Sequence, residues 1–231
     1  MKIPRVMLTA RDNTTHKIVV VTLFGGLAAL LTIFPLDFPF PLVPYLRFDA
    51  AEIPVFVAFM LFGPTAGLAT CVTYLGVLLP ITMGEWLWPI GPFLKFFATA
   101  SQVLGMSIGF RVYRLLKRGG YAAFLIQLTT LGMILRIMVM TLANYAVLTM
   151  TAQVEFIGAL LRTITGWSLS SSTEVIVIIL VLTALFNALH TPLSMMPAAL
   201  LVKRISREGS LICYRGAWMI RAIGKDDLTL T

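Results

Sequence analysis

Tyr45-Leu-Arg-Phe-Asp-Ala-Ala-Glu-Ile-Pro54, followed by Phe62-Gly-Pro-Thr-Ala-Gly67, is the stretch on which the fold turns. It places an arginine and two acids directly before a short apolar run that a Gly-Pro pair closes. Pro54 lacks an N–H and would clash with the preceding turn inside a helix, so a helix here begins near Glu52. Asp49 or Glu52 then stands where a carboxylate can cap exposed N–H groups. The run 52–62 is too short to cross a bilayer, which takes about 20 residues. It reads either as a partial span or as one arm of a broken hairpin with the apolar run that follows.

Outward from this stretch the chain is mostly apolar. Of its 231 residues 58% are hydrophobic and 12% charged, with a mean hydropathy of +0.91. A soluble domain carries about 25% charged residues. The pattern predicts an all-α integral membrane protein with six transmembrane helices, at 18–34, 52–62, 65–81, 91–113, 122–148 and 173–202. Residues 1–17 form a polar, basic N-terminal segment, and the first apolar stretch is long and lacks a small-residue cleavage site, so no cleavable signal peptide is expected. Residues 18–204 form the membrane domain, and 205–231 a basic tail. Cys71 in an apolar run and Cys213 in the tail are not expected to pair, and the two Cys and two His offer no metal-ligand spacing.

Lysine and arginine set the orientation. Lys2, Arg5, Arg11 and Lys17 precede the first span, and Arg111, Arg114, Lys117 and Arg118 follow the fourth. Lys203, Arg204, Arg207, Arg215, Arg221 and Lys225 follow the sixth. The opposite loops hold only Arg47 and Arg162. Both termini are therefore expected in the cytoplasm, and this asymmetry accounts for the net charge of +8 without a nucleic-acid partner. Residues 211–223, with Tyr214 and Trp218 among arginines, fit either a helix on the membrane surface or a loosely ordered tail.

The outer loops have a different character. Pro35, Pro39, Pro41 and Pro44 alternate with Phe38, Phe40 and Tyr45, which predicts a stiff, extended segment. Trp86 and Trp88 fit either an interfacial belt or the rim of a site. Val154, Ile157, Leu160, Leu161 and Ile164 recur at helical spacing and predict a short helix across the outer mouth.

Polar groups inside the apolar spans mark the candidate site. An ionisable side chain at mid-membrane costs roughly 2.5–3.5 kcal/mol on insertion scales, so it needs a reason. Lys95 either snorkels to water or joins Thr99 and Gln102 in one polar stripe. Arg136 lies near the centre of the fifth span and needs an interior acceptor, as a tie between helices or a ligand contact. Asn144 precedes Tyr145 towards the outer end of that span. Asn187 and His190, three residues apart, share a face of the sixth. Asparagine offers donors and an acceptor to the amide-rich edge of a heterocycle, and it also serves as glue between membrane helices. Pro192 and Pro197 follow and would splay the sixth helix. The small-residue stripes Thr22/Gly26, Gly25/Ala29 and Ser101/Gly105/Gly109 allow close helix contacts.

No G-x-x-x-x-G-K-[ST] loop is present, so the chain is not its own ATPase. No Ser–His–acid set, H-E-x-x-H motif or carboxylate dyad appears, and no catalytic residue or cofactor is assigned. Uphill transport would draw on a partner or an ion gradient.

The opening stretch, with Ile90-Gly-Pro-Phe-Leu-Lys-Phe-Phe-Ala-Thr-Ala-Ser101, Leu142-Ala-Asn-Tyr145 and Phe186-Asn-Ala-Leu-His190, resembles the vitamin-binding S components of energy-coupling factor (ECF) transporters, most like their riboflavin branch. The resemblance implies a six-helix subunit that captures a vitamin from outside. It implies as partners a transmembrane coupling subunit and two ABC-type ATPases, whose hydrolysis topples the S component and releases the vitamin inside. It implies Asn144 and Asn187 as ligand contacts; together with His190 they are the first-choice contacts, and Lys95 and Gln102 are second-choice candidates from the polar stripe. The proline-rich loop, with Pro41, Tyr45 and Arg47, would be a lid. Gly25 and Ala29 would keep the spacing of the family's Ala-x-x-x-Ala face, which docks on the coupling subunit. Two departures stand out. His190 occupies the lysine position of the family's Phe-Asn-x-x-Lys, and Arg47-Phe48-Asp49 replaces Lys-Tyr-Asp.

The expected function is capture of riboflavin or a related vitamin for ATP-driven import. The alternatives are an S component for another vitamin, a membrane enzyme acting on a lipid-like substrate, and a ligand-free scaffold subunit. The scarcity of intramembrane acids argues against the enzyme. Copurification with ATPase subunits and no bound vitamin would mark the scaffold.

Overall fold

The computed structural model describes residues 14–34, 37–85, 88–116, 120–151, 153–207 and 218–219. In chain order the elements are α1 (Thr14–Ile33), β1 (Phe38–Phe40), β2 (Val43–Phe48), α2 (Glu52–Phe62), α3 (Pro64–Ile81), α4 (Ile90–Leu116), α5 (Tyr121–Met150), α6 (Val154–Thr165) and α7 (Ser172–Arg207). Helices α3, α4, α5 and α7 are each long and apolar enough to cross a membrane, whereas α1 and α2 supply shorter apolar stretches. Large apolar side chains such as Leu23, Ile126, Leu142, Val181 and Leu200 face outward. Most of the buried polar residues point inward. That inversion suits a protein solvated by lipid.

Helix α2 is the axis of the bundle. Nearly all of its 11 residues are buried, and it packs against α1, α3, α4 and α7. At 1.5 Å per residue it is only about 16 Å long, roughly half a hydrocarbon core. Gly63, at φ 96°, joins it to α3, with Pro64 at the first turn of the new helix. This is the broken hairpin anticipated from the short apolar run. The Asp49 carboxylate accepts the Ala51 N–H at 3.1 Å and turns the chain into α2, while Ala51 itself occupies the N-cap without a side-chain bond.

The proline-rich segment is not a lone extended strand. Phe38–Phe40 and Val43–Phe48 pair as an antiparallel hairpin, with Phe38 opposite Phe48 and the register shifting between Pro39 and Phe40. Prolines sit in this two-stranded ribbon because each strand has a free edge. The hairpin is fixed by aromatic packing: Phe48 lies 4.7 Å from the Phe186 ring on α7 and 5.0 Å from Phe38, between ring centroids. Phe40, Val43 and Phe48 form one apolar cluster with Leu148, Ile157, Leu161, Ile179 and Phe186. The hairpin thus fills part of the space that α2 leaves open. Irregular backbone at such depth is tolerated where protein or a cavity surrounds it.

Helix α6 forms as its spacing predicts. Ile157 and Leu161 are buried, Val154 packs beside them, Leu160 is half-buried and Ile164 is exposed. Gly166 ends it in the left-handed region, its N–H donating to the Arg162 carbonyl. Trp88 donates its indole N–H to the Leu79 carbonyl at the end of α3. Helix α7 continues through Pro192 and Pro197, which lie inside it.

The small-residue stripes join helices of this chain to one another. A Cβ on Gly105 would lie 2.5 Å from the Leu131 carbonyl oxygen on α5. One on Gly25 would lie 2.7 Å from Thr73 on α3, and Ala29 is buried. Gly25 therefore seats α1 on α3 and Ala29 is buried, so neither presents the outward docking face expected of them. Gly26 is the residue on the open side, where a Cβ would meet nothing within 4 Å. At the opposite end of the bundle from the hairpin, Trp218 stacks 4.4 Å from Phe110 and edge-on to Phe59. Trp86, Lys117, Arg118, Cys213, Tyr214 and, of the terminal basic residues, Lys2, Arg5, Arg11, Arg215, Arg221 and Lys225 lie outside the described residues, while Cys71 is a buried free thiol.

Candidate functional site

A cavity of about 460 Å³ lies beneath the hairpin, between α4, α5 and α7, with the first residue of α2 in its wall. Pockets that hold small organic ligands span about 300–1,000 Å³. Its floor is a charged network centred on Arg136. The Arg136 guanidinium donates to Glu52 at 2.5 Å, to Gln102 at 2.7 Å and, through Nε, to the Asn187 side-chain oxygen at 2.7 Å. Its remaining nitrogen lies 3.2 Å from His190 Nδ1. Arginine can only donate, so this His190 nitrogen accepts. The proton then sits on Nε2, which donates to the Asp49 carbonyl at 3.2 Å.

Both members of the Arg136–Glu52 pair are buried, at 2% and 5% exposure. Desolvating two ions costs several kcal/mol each, and such a pair persists only with the remaining hydrogen bonds satisfied. Here the partners come from α2, α4 and α7, so a single cation on α5 ties four helices at one level. Sequence reasoning left Arg136 between helix tie and ligand contact; it is the tie, and it also lines the cavity.

Two further ion pairs stand at the mouth. Lys95 on α4 meets Asp49 at 2.6 Å, and Arg47 on β2 meets Asp37 at 2.6 Å. Lys95 is therefore paired with the residue that leads into α2, and it neither snorkels freely nor stands alone. Thr99 donates to the Lys95 carbonyl, and its hydroxyl lies 3.4 Å from Glu52. Tyr45 on the hairpin lines the wall, where its phenol can donate and accept.

Asn144, Asn187, His190 and Lys95 all reach the cavity wall. Asn144 donates to its own helix at the Met140 carbonyl, which leaves its oxygen for the cavity. Asn187 donates to the Thr183 carbonyl at 2.8 Å and accepts from Arg136, so one N–H and one lone pair remain. Gln102 is buried beyond the cavity wall, where it accepts from Arg136 and faces the Thr191 hydroxyl at 3.4 Å. It supports the floor and is not in the lining, against the expectation of a direct contact. Of the lid residues, Tyr45 and Arg47 line the cavity, while Pro41 is exposed at the hairpin turn.

Sequence reasoning took Glu52 and Asp49 only as helix-start signals and did not single out Thr183. The available signal for Glu52 was electrostatic: an acid inside an apolar region and an arginine inside another require each other. Among the described residues, no group of three His, Cys, Asp or Glu side chains could hold a metal ion.

The comparisons fit this geometry. A solved structure of the S component of a bacterial ECF transporter superposes with a TM-score of 0.59, covering 84% of this chain and 96% of that one at 24% identity. The chain has the S-component fold. Its sequence relatives include the riboflavin transporter RibU of Staphylococcus aureus (strain TCH60), 29% identical over 132 residues, and the riboflavin transporter FmnP of Bacillus subtilis (strain 168), 32% identical over 134. Each match takes in 57% of this chain and 65% or 66% of the relative, just under two thirds of its length. No family model matches. In this chain the cation at the level of Asn187 comes from Arg136 on α5, with His190 between it and the Asp49 backbone.

Proposed function

We propose that this chain is the substrate-binding subunit of an ECF-type importer and that it captures riboflavin from outside the cell. The observation that carries the reading is the cavity of about 460 Å³, roofed by the hairpin and walled by Asn144 and Asn187, in a chain whose sequence relatives are named riboflavin transporters. The flavin's amide-rich edge meets Asn144 and Asn187, whose amides match it donor for acceptor. His190 and Lys95 line the same wall, and Gln102 holds Arg136 from behind. Tyr45 and Arg47 ride on the hairpin, which acts as the lid.

In this reading six helices traverse the cell membrane, α2 completing its crossing through the hairpin that continues it. Both termini are cytoplasmic, with 1–17 and 205–231 flanking the membrane domain. The partners are a transmembrane coupling subunit and two ABC-type ATPases, and the chain itself catalyses no reaction. Docking uses the open face of α1 that carries Thr22 and Gly26, because Gly25 is occupied by α3 and Ala29 is buried.

The test is to purify the chain in mild detergent, record its visible spectrum, then denature it and identify what is released. Near-stoichiometric riboflavin supports the proposal. A colourless protein that does not quench added riboflavin fluorescence overturns the riboflavin assignment and favours another vitamin. That second reading has one observation behind it, His190 in place of the family's lysine.

A further inference from the structure

Four of the buried threonines among the described residues solve their hydrogen bonding in one way. Thr70, Thr82, Thr99 and Thr191 each donate the hydroxyl to the carbonyl four residues back. Back-bonding of this kind is the ordinary solution for threonine in a helix. The remaining buried threonine, Thr183 on α7, departs from it. Its side chain is 1% exposed and its hydroxyl has no partner.

Location separates Thr183 from the other unpartnered groups. Gln102 Nε2 and the hydroxyls of Tyr121, Ser194 and Ser206 are also buried without partners, but none of these residues lines the cavity beneath the hairpin; Thr183 does. Positions 183, 187 and 190 share one helical face, so Thr183 continues the row of Asn187 and His190 by one turn towards the hairpin. The Thr183 carbonyl is already engaged by Asn187 Nδ2. What remains open is a hydroxyl able to donate and to accept, held between the levels of Asn187 and Asn144.

We infer that Thr183 is a ligand-contact residue whose hydroxyl pairs with a polar edge of the bound vitamin and selects for a ligand that has a donor or acceptor there. This rests on the riboflavin-binding reading above. A site built to hydrogen-bond its substrate rejects analogues lacking the matching group, because a buried polar group is then left unpaired. The unpartnered hydroxyl is a cost in the empty protein and a gain in the loaded one.

The test uses Thr183→Val, which keeps the shape and removes the hydroxyl, and Thr183→Ser, which keeps the hydroxyl. Riboflavin is titrated into the purified full chain by fluorescence quenching, and the melting temperature of each ligand-free protein is recorded. T183V is expected to bind roughly tenfold more weakly. T183S should bind close to wild type, and ligand-free T183V should melt at or above the wild-type temperature. A purely structural threonine would instead lower the melting temperature and the affinity together, and that result overturns the inference. Wild-type quenching with unchanged affinity in T183V overturns the role of Thr183 alone. A wild-type chain that does not quench riboflavin overturns the riboflavin reading and, with it, Thr183 as a flavin contact.

Discussion

Arg136 at the centre of α5 and Glu52 at the first turn of α2 form a buried ion pair at 2.5 Å, across 84 positions of sequence. The pair sets the depth at which α2 begins and therefore the depth of the cavity above it. Removing one partner of such a pair leaves an uncompensated buried charge, which costs about 3–5 kcal/mol. Glu52→Gln and Arg136→Met are each expected to lower the melting temperature in detergent sharply. The double variant should recover part of the loss, since no lone charge remains. A double variant that melts at the sum of the two single losses would show that the pair is not coupled.

Asn144 and Asn187 are expected to differ in what their loss does. Both line the cavity, but Asn144 bonds only its own helix, whereas Asn187 is bonded to Arg136. Asn144→Leu should abolish riboflavin quenching with little change in melting temperature. Asn187→Leu should abolish quenching and also destabilise the chain, while still inserting in the membrane. Unchanged affinity in both would remove these residues from the site.

The Lys95–Asp49 pair closes one side of the mouth, and Asp49 also accepts from Ala51 and, through its carbonyl, from His190. Lys95→Met should quicken riboflavin release several-fold with a small effect on stability, because the lysine side chain is 41% exposed and water screens the pair. Asp49→Asn keeps an acceptor for Ala51 and should match Lys95→Met. Combining the two should add nothing, as expected for two ends of one interaction. Stopped-flow displacement of bound riboflavin measures this directly.

The adjacent glycines of α1 offer a clean contrast. Gly25→Leu collides with Thr73 and should destabilise the chain by about 1–3 kcal/mol. Gly26→Leu meets open space and should leave the melting temperature and riboflavin affinity unchanged. If α1 docks through its open face, Gly26→Leu should also reduce copurification with the coupling subunit. Retained copurification in Gly26→Leu would move the docking surface elsewhere.

The helices were legible because each is a local statement. Apolar runs of the right length placed α3, α4, α5 and α7 to within a few residues, and Pro54 and Gly63-Pro64 bracketed α2. The 154–165 periodicity likewise gave α6. The hairpin was not legible as a hairpin, because four prolines signal a stiff extended chain without saying whether it pairs. Its register depends on Phe48 meeting Phe186, a contact between distant parts of the sequence. The inward face of Gly25 and Ala29 was equally hidden, since a small-residue stripe states that something approaches closely and not what.

The sequence alone determined that this chain lives in a membrane, where its helices fall and that Arg136 needs an interior acceptor, and it marked Lys95, Asn144, Asn187 and His190 as candidates whose partners stayed open. Hydropathy, proline geometry and the cost of a charge in hydrocarbon act residue by residue, so they can be read along a line. Only the tertiary structure decided which partners those are. It gave Arg136 to Glu52, Gln102, Asn187 and His190, paired Lys95 with Asp49, put Gln102 behind the floor, and left the Thr183 hydroxyl open to the cavity. Those choices depend on the rotation and depth of four helices relative to one another, which long-range packing sets and local sequence does not encode.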